Sequence, residues 1–188
     1  MSFKKILVLC LMFVTLCVGV CSAASVEQKK ANVRIKVATV LDQLYTLHPE
    51  ARNVVSNSLG YAVFANTGLS YGIISDNHGR GLAKNNNTGE EIFMKMNKAK
   101  LGLGLGAKEY SVVFIFETDD AWNKFTTTKW TSTASASADA TDGVNGNYKG
   151  SAKAVADGIY IYEFTTKGLI AEVGIGGVTY YRDKKLNK

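Results

Sequence analysis

LGLGLGAKEYSVVFIFETDDAWNKF, residues 101–125, decides how this chain folds. Leu101, Leu103 and Leu105 alternate with Gly102, Gly104 and Gly106, the period of two that a β-strand requires, and the glycine face is left bare for close packing. Tyr110 to Phe116 is apolar on both faces, which predicts a central strand covered on both sides. Thr118 then reads as a helix N-cap, with Asp119 and Asp120 in the first turn opposing the helix dipole and Trp122 and Phe125 facing the core. Strand, strand and short helix within 25 residues predict a β-rich fold with one inserted helix.

Moving outward towards the N-terminus, Tyr61–Ala65, Leu69–Ser75, Gly79–Lys84 and Glu91–Met96 are strand candidates, with turns at Asp76–His78 and Asn85–Gly89. Ahead of Gly60 the period lengthens. Val26, Val33, Val37, Val40, Leu41 and Leu44 recur at helical spacing, so Val26–Leu47 reads as an amphipathic helix, and Pro49 reads as the first residue of a second helix ending at Ser58. Towards the C-terminus, alanines at 134, 136, 138 and 140 alternate with polar residues in a strand from Trp130 to Thr141, followed by a turn at Asp142–Asn147. Further strands are predicted at Gly150–Ala156, Gly158–Phe164, Gly168–Gly174 and Val178–Arg182. The expected class is α+β: N-terminal amphipathic helices packed on a predominantly antiparallel sheet or barrel-like β region.

Residues 1–24 have a different character. Lys4 and Lys5 precede an apolar run from Ile6 to Val20, and Ser22, Ala23 and Ala24 follow, the three-part pattern of a cleavable signal peptide. The expectation is cleavage after Ala24, export to the periplasm or beyond, and one domain over residues 25–188. Lipid modification of Cys21 is the competing reading, opposed by Val20 where a lipoprotein signal wants a small residue. Cleavage removes Cys10, Cys17 and Cys21, all the cysteines, and lowers the formal charge from +6 to +4. A bias that mild does not suit a nucleic-acid binder.

Gly68-Leu69-Ser70-Tyr71-Gly72 has the spacing of a serine-hydrolase elbow, but a strand follows it instead of a helix, and His48 and His78 read as solvent-facing residues with no orienting acid. The glycines at 102, 104 and 106 lead into a strand and not a helix, which argues against a phosphate loop. With two histidines and no cysteine after cleavage, neither a metal site nor a cofactor is expected. Asn86-Asn87-Thr88 is a glycosylation sequon. Two basic clusters remain: Lys29, Lys30, Arg34 and Lys36 flanking the apolar stripe of the first helix, and Tyr180, Tyr181, Arg182, Lys184, Lys185 and Lys188 at the C-terminus. Either can meet an anionic surface, and either can simply keep an exported protein soluble.

Residues 60–96 (GYAVFANTGLSYGIISDNHGRGLAKNNNTGEEIFMKM), 101–125 and 167–177 (KGLIAEVGIGG) resemble the SYLF domain in order and spacing, with the closest likeness to short exported bacterial members. The resemblance implies lipid binding, through an amphipathic N-terminal helix in eukaryotic members that associate with phosphoinositide membranes. It also implies actin binding in fungal members, and no catalysis. At Thr67–Tyr71 the chain departs from the proline and lysine that many relatives carry. The expected function is therefore a non-enzymatic lipid- or membrane-surface-binding module of the cell envelope. The alternatives are a structural or partner-binding envelope protein and, more distantly, a small hydrolase using Ser70.

Overall fold

The computed structural model describes residues 25–66, 78–98, 110–132, 148–149, 152–165, 168–169 and 178–188. Helix α1, Val26–Leu47, opens on a reciprocal cap: Ser25 Oγ accepts from Gln28 N at 3.2 Å and Gln28 Oε1 accepts from Ser25 N at 3.0 Å. It ends at His48, one residue before Pro49, as the restriction on a residue preceding proline requires. Helix α2, Ala51–Asn57, is shorter than the sequence suggests. Pro49 sits outside it, and bonds from Ala51 N to His48 O and from Arg52 N to Pro49 O make a tight turn first. The position that reads as a helix start is therefore part of the link between helices.

The strands are β1 Gly60–Asn66, β2 His78–Asn85, β3 Glu91–Lys98, β4 Tyr110–Phe116, β5 Trp130–Ser132, β6 Tyr148–Lys149, β7 Ala152–Ala156, β8 Ile159–Thr165, β9 Gly168–Leu169 and β10 Val178–Arg182; helix α3, Asp119–Thr127, lies between β4 and β5. They form one sheet in the order β5-β10-β3-β2-β1-β4-β8-β7-β6, with β9 on β8, and every pairing is antiparallel. The expected strand Leu69–Ser75, the glycine-alternating strand, residues 133–147 and residues 170–174 lie outside the described residues. Of the expected turn Asp76–His78, the last residue begins β2 and the first two also lie outside the described residues. Gly158 does not start β8 as expected. It holds a turn at φ +66°, a conformation that favours glycine.

The sheet is curled. Tyr180 on β10 and Phe114 on β4 are four strand spacings apart, about 19 Å on a flat sheet, yet their rings are 4.9 Å apart. The concave side holds Phe64, Phe114, Phe116, Met94, Met96, Ile159, Ile161 and Tyr180, closed by Trp122 and Phe125 of α3. Thr118 Oγ1 caps α3 through Ala121 N at 3.2 Å, as expected. Gly81 permits the curl: a Cβ there would collide with the Val63 carbonyl oxygen and the Phe64 ring. On the convex side Val63, Leu82, Phe93, Val113, Ile115, Tyr162 and Phe164 meet Val33, Val37, Val40 and Leu44 of α1 and Ala51 and Val55 of α2. The strict alternation along β1 and β4 sends one set of residues to each core, and both cores bury β4 completely from Val112 to Phe116.

The convex core is rich in tyrosine. Burial, and secondarily the charge of Glu50, push the Tyr162 phenol up to about 12, and burial also raises Tyr45 and Tyr61. A phenol whose folded pKa is raised stabilises the fold fully below its ordinary value near 10 and loses that contribution as pH climbs through the folded value. The rise at Tyr162 corresponds to roughly 3 kcal/mol. The protein should therefore lose stability between about pH 10 and pH 12. Phenolate absorbance and circular dichroism followed together would check this: ionisation coincident with unfolding is expected, and tyrosines that ionise normally in a protein still folded would contradict it.

The turn between β2 and β3 locks the α2–β1 corner. Asn86 Nδ2 donates to Val55 O at 2.8 Å and to Ser58 O at 2.9 Å, while Asn86 N reaches Leu59 O. The amide that a glycan would occupy is thus already committed. When the protein is exported from a glycosylating host, the folded product should carry no glycan at Asn86, and Asn86→Ala should cost about 1–3 kcal/mol because two carbonyls lose their donor. A glycosylated, fully folded species in the mass spectrum would contradict this.

Candidate functional site: a basic groove beside the first helix

Four cations on α1 look like one cluster in the sequence, but the helix divides them. Lys29 and Lys36, seven residues apart, lie on one flank of the buried stripe, about 10 Å apart along the axis. Lys30 and Arg34 lie on the other. The second pair is occupied: Lys30 Nζ is 3.2 Å from Glu27 Oε1, Arg34 Nε is 2.8 Å from Glu91 Oε2, and both cations stand over the Phe93 ring. Among the described residues Lys29 and Lys36 form no ion pair.

Their flank borders a shallow groove of about 340 Å³ between α1 and strands β1 and β2, lined by Lys29, Asn32, Ile35, Lys36, Gly79 and Arg80 among others. Among the described residues no acidic side chain lines it. Ile35, 65% exposed, is one of two large apolar side chains left in solvent among the described residues, the other being Val26 at the start of the same helix. In the sequence Arg80 stands out as nothing more than one cation within a glycine-rich strand. The available signal is the alternation of Arg80, Leu82 and Lys84, which sends Arg80 to the face that Leu82 shares with α1.

The C-terminal cluster is anchored. Tyr180 is fully buried among Phe64, Phe114, Phe125 and Trp130, so it is removed from any surface role in the folded protein. Its burial follows from register: alternation that sends Tyr181 outward sends Tyr180 inward. Arg182, Lys184 and Lys185 are exposed, and Tyr181 is partly so. Between them Asp183 is buried, with Lys95 Nζ at 3.4 Å and Arg80 Nε at 3.8 Å from its carboxylate. Asp183 N donates to Phe93 O at 2.8 Å, Phe93 N donates to Asn187 Oδ1 at 2.9 Å, and Leu186 fills the convex core. Residues 183–188 thus form a clip that continues the β3 ladder beyond β10.

The histidine expectation is corrected in one respect. His48 is half-buried, its ring centroid 6.3 Å from that of Tyr162, and its Nδ1 is 3.2 Å from Glu50 Oε1, so an acid does accompany it. Proximity within two residues of the α1–α2 link, not a catalytic geometry, accounts for the pair. Ser70 and the elbow spacing around it lie outside the described residues. Among the described residues no group of three His, Cys, Asp or Glu side chains could hold a metal ion, and no helix is long and apolar enough to cross a membrane.

Two comparisons place the chain among known proteins. Residues 97–188 match the family model "Ysc84: Las17-binding protein actin regulator". The chain is also similar to the Beta cell expansion factor A of Aeromonas veronii, with 32% identity over 169 residues, 85% of this chain and 60% of that protein. It therefore spans less than two thirds of the length of that relative. The matched family is one of binding domains, and the match covers β4, the central apolar strand, together with α3 and the part of the sheet that follows it. The α+β architecture, the aromatic core closed by α3 and the match over residues 97–188 agree with the resemblance read from the sequence: the SYLF (Ysc84) likeness is carried by the half of the chain that holds β4 and α3.

Proposed function

We propose that this chain is a non-enzymatic module that binds anionic lipid or membrane surfaces of the cell envelope, using the Lys29 and Lys36 flank of α1 with Ile35 and Arg80. The observation that carries the reading is the pairing of two uncompensated lysines with an exposed isoleucine on one helix. The stripe Val33, Val37, Val40 and Leu44 stays docked in the convex core, so α1 need not leave the sheet to present charge and an apolar side chain together. Tyr181, Arg182, Lys184 and Lys185 supply a second, more peripheral basic edge, while Lys30 and Arg34 are already spent on Glu27 and Glu91. The signal-peptide pattern of residues 1–24 supports an exported location, and Ser25 caps α1 directly after the expected cleavage point.

Three cations near an anionic surface contribute on the order of 1 kcal/mol each, and seating Ile35 adds about 1–2 kcal/mol. The sum corresponds to roughly millimolar affinity for one site, so binding is expected to be weak and sensitive to salt. The protein should float with vesicles of phosphatidylglycerol in phosphatidylcholine at low salt, remain behind with phosphatidylcholine alone, and be released as salt rises. Absence of flotation at low salt would replace this reading with a partner-binding one. That second reading has its own support in the description of the matched family, which names a protein partner, Las17.

A further inference from the structure

Arg80 belongs to two arrangements at once. It lines the groove with Lys29 and Lys36, and it is an ion-pair partner of Asp183 in the C-terminal clip. Across the β2–β3 ladder it stands directly opposite Lys95 on the same convex face. Like charges in that position repel, and the single Asp183 carboxylate holds both. Lys95 is the closer, at 3.4 Å, and its side chain is 28% exposed; Arg80 is farther, at 3.8 Å, and 54% exposed. The Arg80 contact is thus the looser one, and a guanidinium has the fork geometry to prefer two phosphate oxygens over one side of a carboxylate.

We propose that an anion carrying phosphate oxygens, bound in the α1–β2 groove, draws Arg80 from Asp183 and thereby opens the C-terminal clip of residues 183–188. This rests on the groove being the anionic site proposed above, and adds to it a regulatory consequence. Losing Arg80 leaves the buried Asp183 with one cation, and Asp183 organises the clip: its Oδ1 accepts from Lys185 N at 2.9 Å and its carbonyl accepts from Leu186 N, Asn187 N and Asn187 Nδ2. The clip in turn holds Phe93, the ring beneath Lys30 and Arg34. Occupancy of the groove is therefore read out at the opposite edge of α1. Coupling of this kind is reciprocal, so whatever loosens the hold of Asp183 on Arg80 should tighten anion binding by the same factor.

Hydrogen exchange at the amides of Phe93, Asp183 and Lys185 tests the proposal on the full chain, free, with inorganic pyrophosphate, and with vesicles of phosphatidylglycerol in phosphatidylcholine. The expected result is exchange at least about fivefold faster at these amides with an anion present. In Arg80→Gln exchange should be raised without ligand and unresponsive to it. Asp183→Asn should bind pyrophosphate more tightly than Asp157→Asn, which removes one charge from the exposed β7–β8 turn; if Asp183→Asn does not fold, the Arg80→Gln response decides. A response to pyrophosphate assigns the site to free phosphate groups, and a response to vesicles alone assigns it to lipid headgroups; both support the coupling. Clip opening by pyrophosphate without vesicle binding keeps the coupling and removes the membrane reading. Vesicle binding with unchanged or slower clip exchange overturns the coupling and leaves the membrane reading standing, and binding of neither probe overturns both.

Discussion

Phe114→Ala should lower the unfolding free energy by about 3–5 kcal/mol, the range for an aromatic side chain removed from a packed core. Phe114 is fully buried on the concave face, with ring centroids of Phe64, Phe116, Phe125, Trp130 and Tyr180 between 4.8 and 6.4 Å away. These rings come from β1, β4, α3, β5 and β10, so Phe114 is where one end of the curled sheet folds back onto its middle strands and meets the helix that closes it. Collapse into the vacated space would require all of them to shift together, which places the cost at the upper end of the range. Chemical denaturation would check it. A loss below about 1.5 kcal/mol, the range of volume-conserving swaps, would mean the concave side is not packed as described.

Asp183→Ala should cost about 1–3 kcal/mol, because it leaves Lys185 N without its acceptor and strands two partly exposed cations beside each other. Arg80 and Lys95 face one another across β2 and β3, and the side chain lost also accepts from Lys185 N. Lys95→Met in the same background should recover part of the loss by relieving the repulsion. If the single substitution were neutral in thermal unfolding, or if Lys95→Met made it worse, the two ion pairs would not be what holds the clip.

How far the sequence could be read depended on the range of the interaction concerned. Helix α1 is legible to the residue, since its stripe and the stop before Pro49 are both local. The Thr118 cap and the inward Trp122 and Phe125 are local in the same way. Pro49 misled because a proline suited to a first helical turn is equally suited to the tight turn that precedes one. The strands β1, β3 and β10 follow from short apolar or alternating runs and β4 from a run apolar on both faces, but their order in the sheet does not, since each pairing is set by partners distant in sequence.

The site divides along the same line. Lys29, Lys30, Arg34 and Lys36 are visible as a basic group, and the helical period even predicts two flanks. Which flank is neutralised depends on Glu91, more than fifty residues away. Arg80 enters only when β2 docks beside α1. Tyr180 was placed on the surface by its neighbours Arg182, Lys184 and Lys185, whereas the register of β10 against β3 turns it into the aromatic core. Asp183, an acid within a basic tail, carries the tail's structure for reasons that only the fold supplies.

A comparison of two paired substitutions in vesicle flotation tests the central claim most directly. Lys29→Gln with Lys36→Gln removes two groove cations, and Lys30→Gln with Arg34→Gln removes two cations that already have partners. The charge change is identical. Two cations at about 1 kcal/mol each correspond to roughly thirtyfold weaker binding to phosphatidylglycerol vesicles for the first pair, with thermal stability nearly unchanged because these side chains form no ion pair. The second pair should weaken binding far less and should instead cost stability through the lost Arg34–Glu91 contact. Equal weakening by both pairs, or greater weakening by the second, would contradict the assignment of the surface to the groove flank of α1.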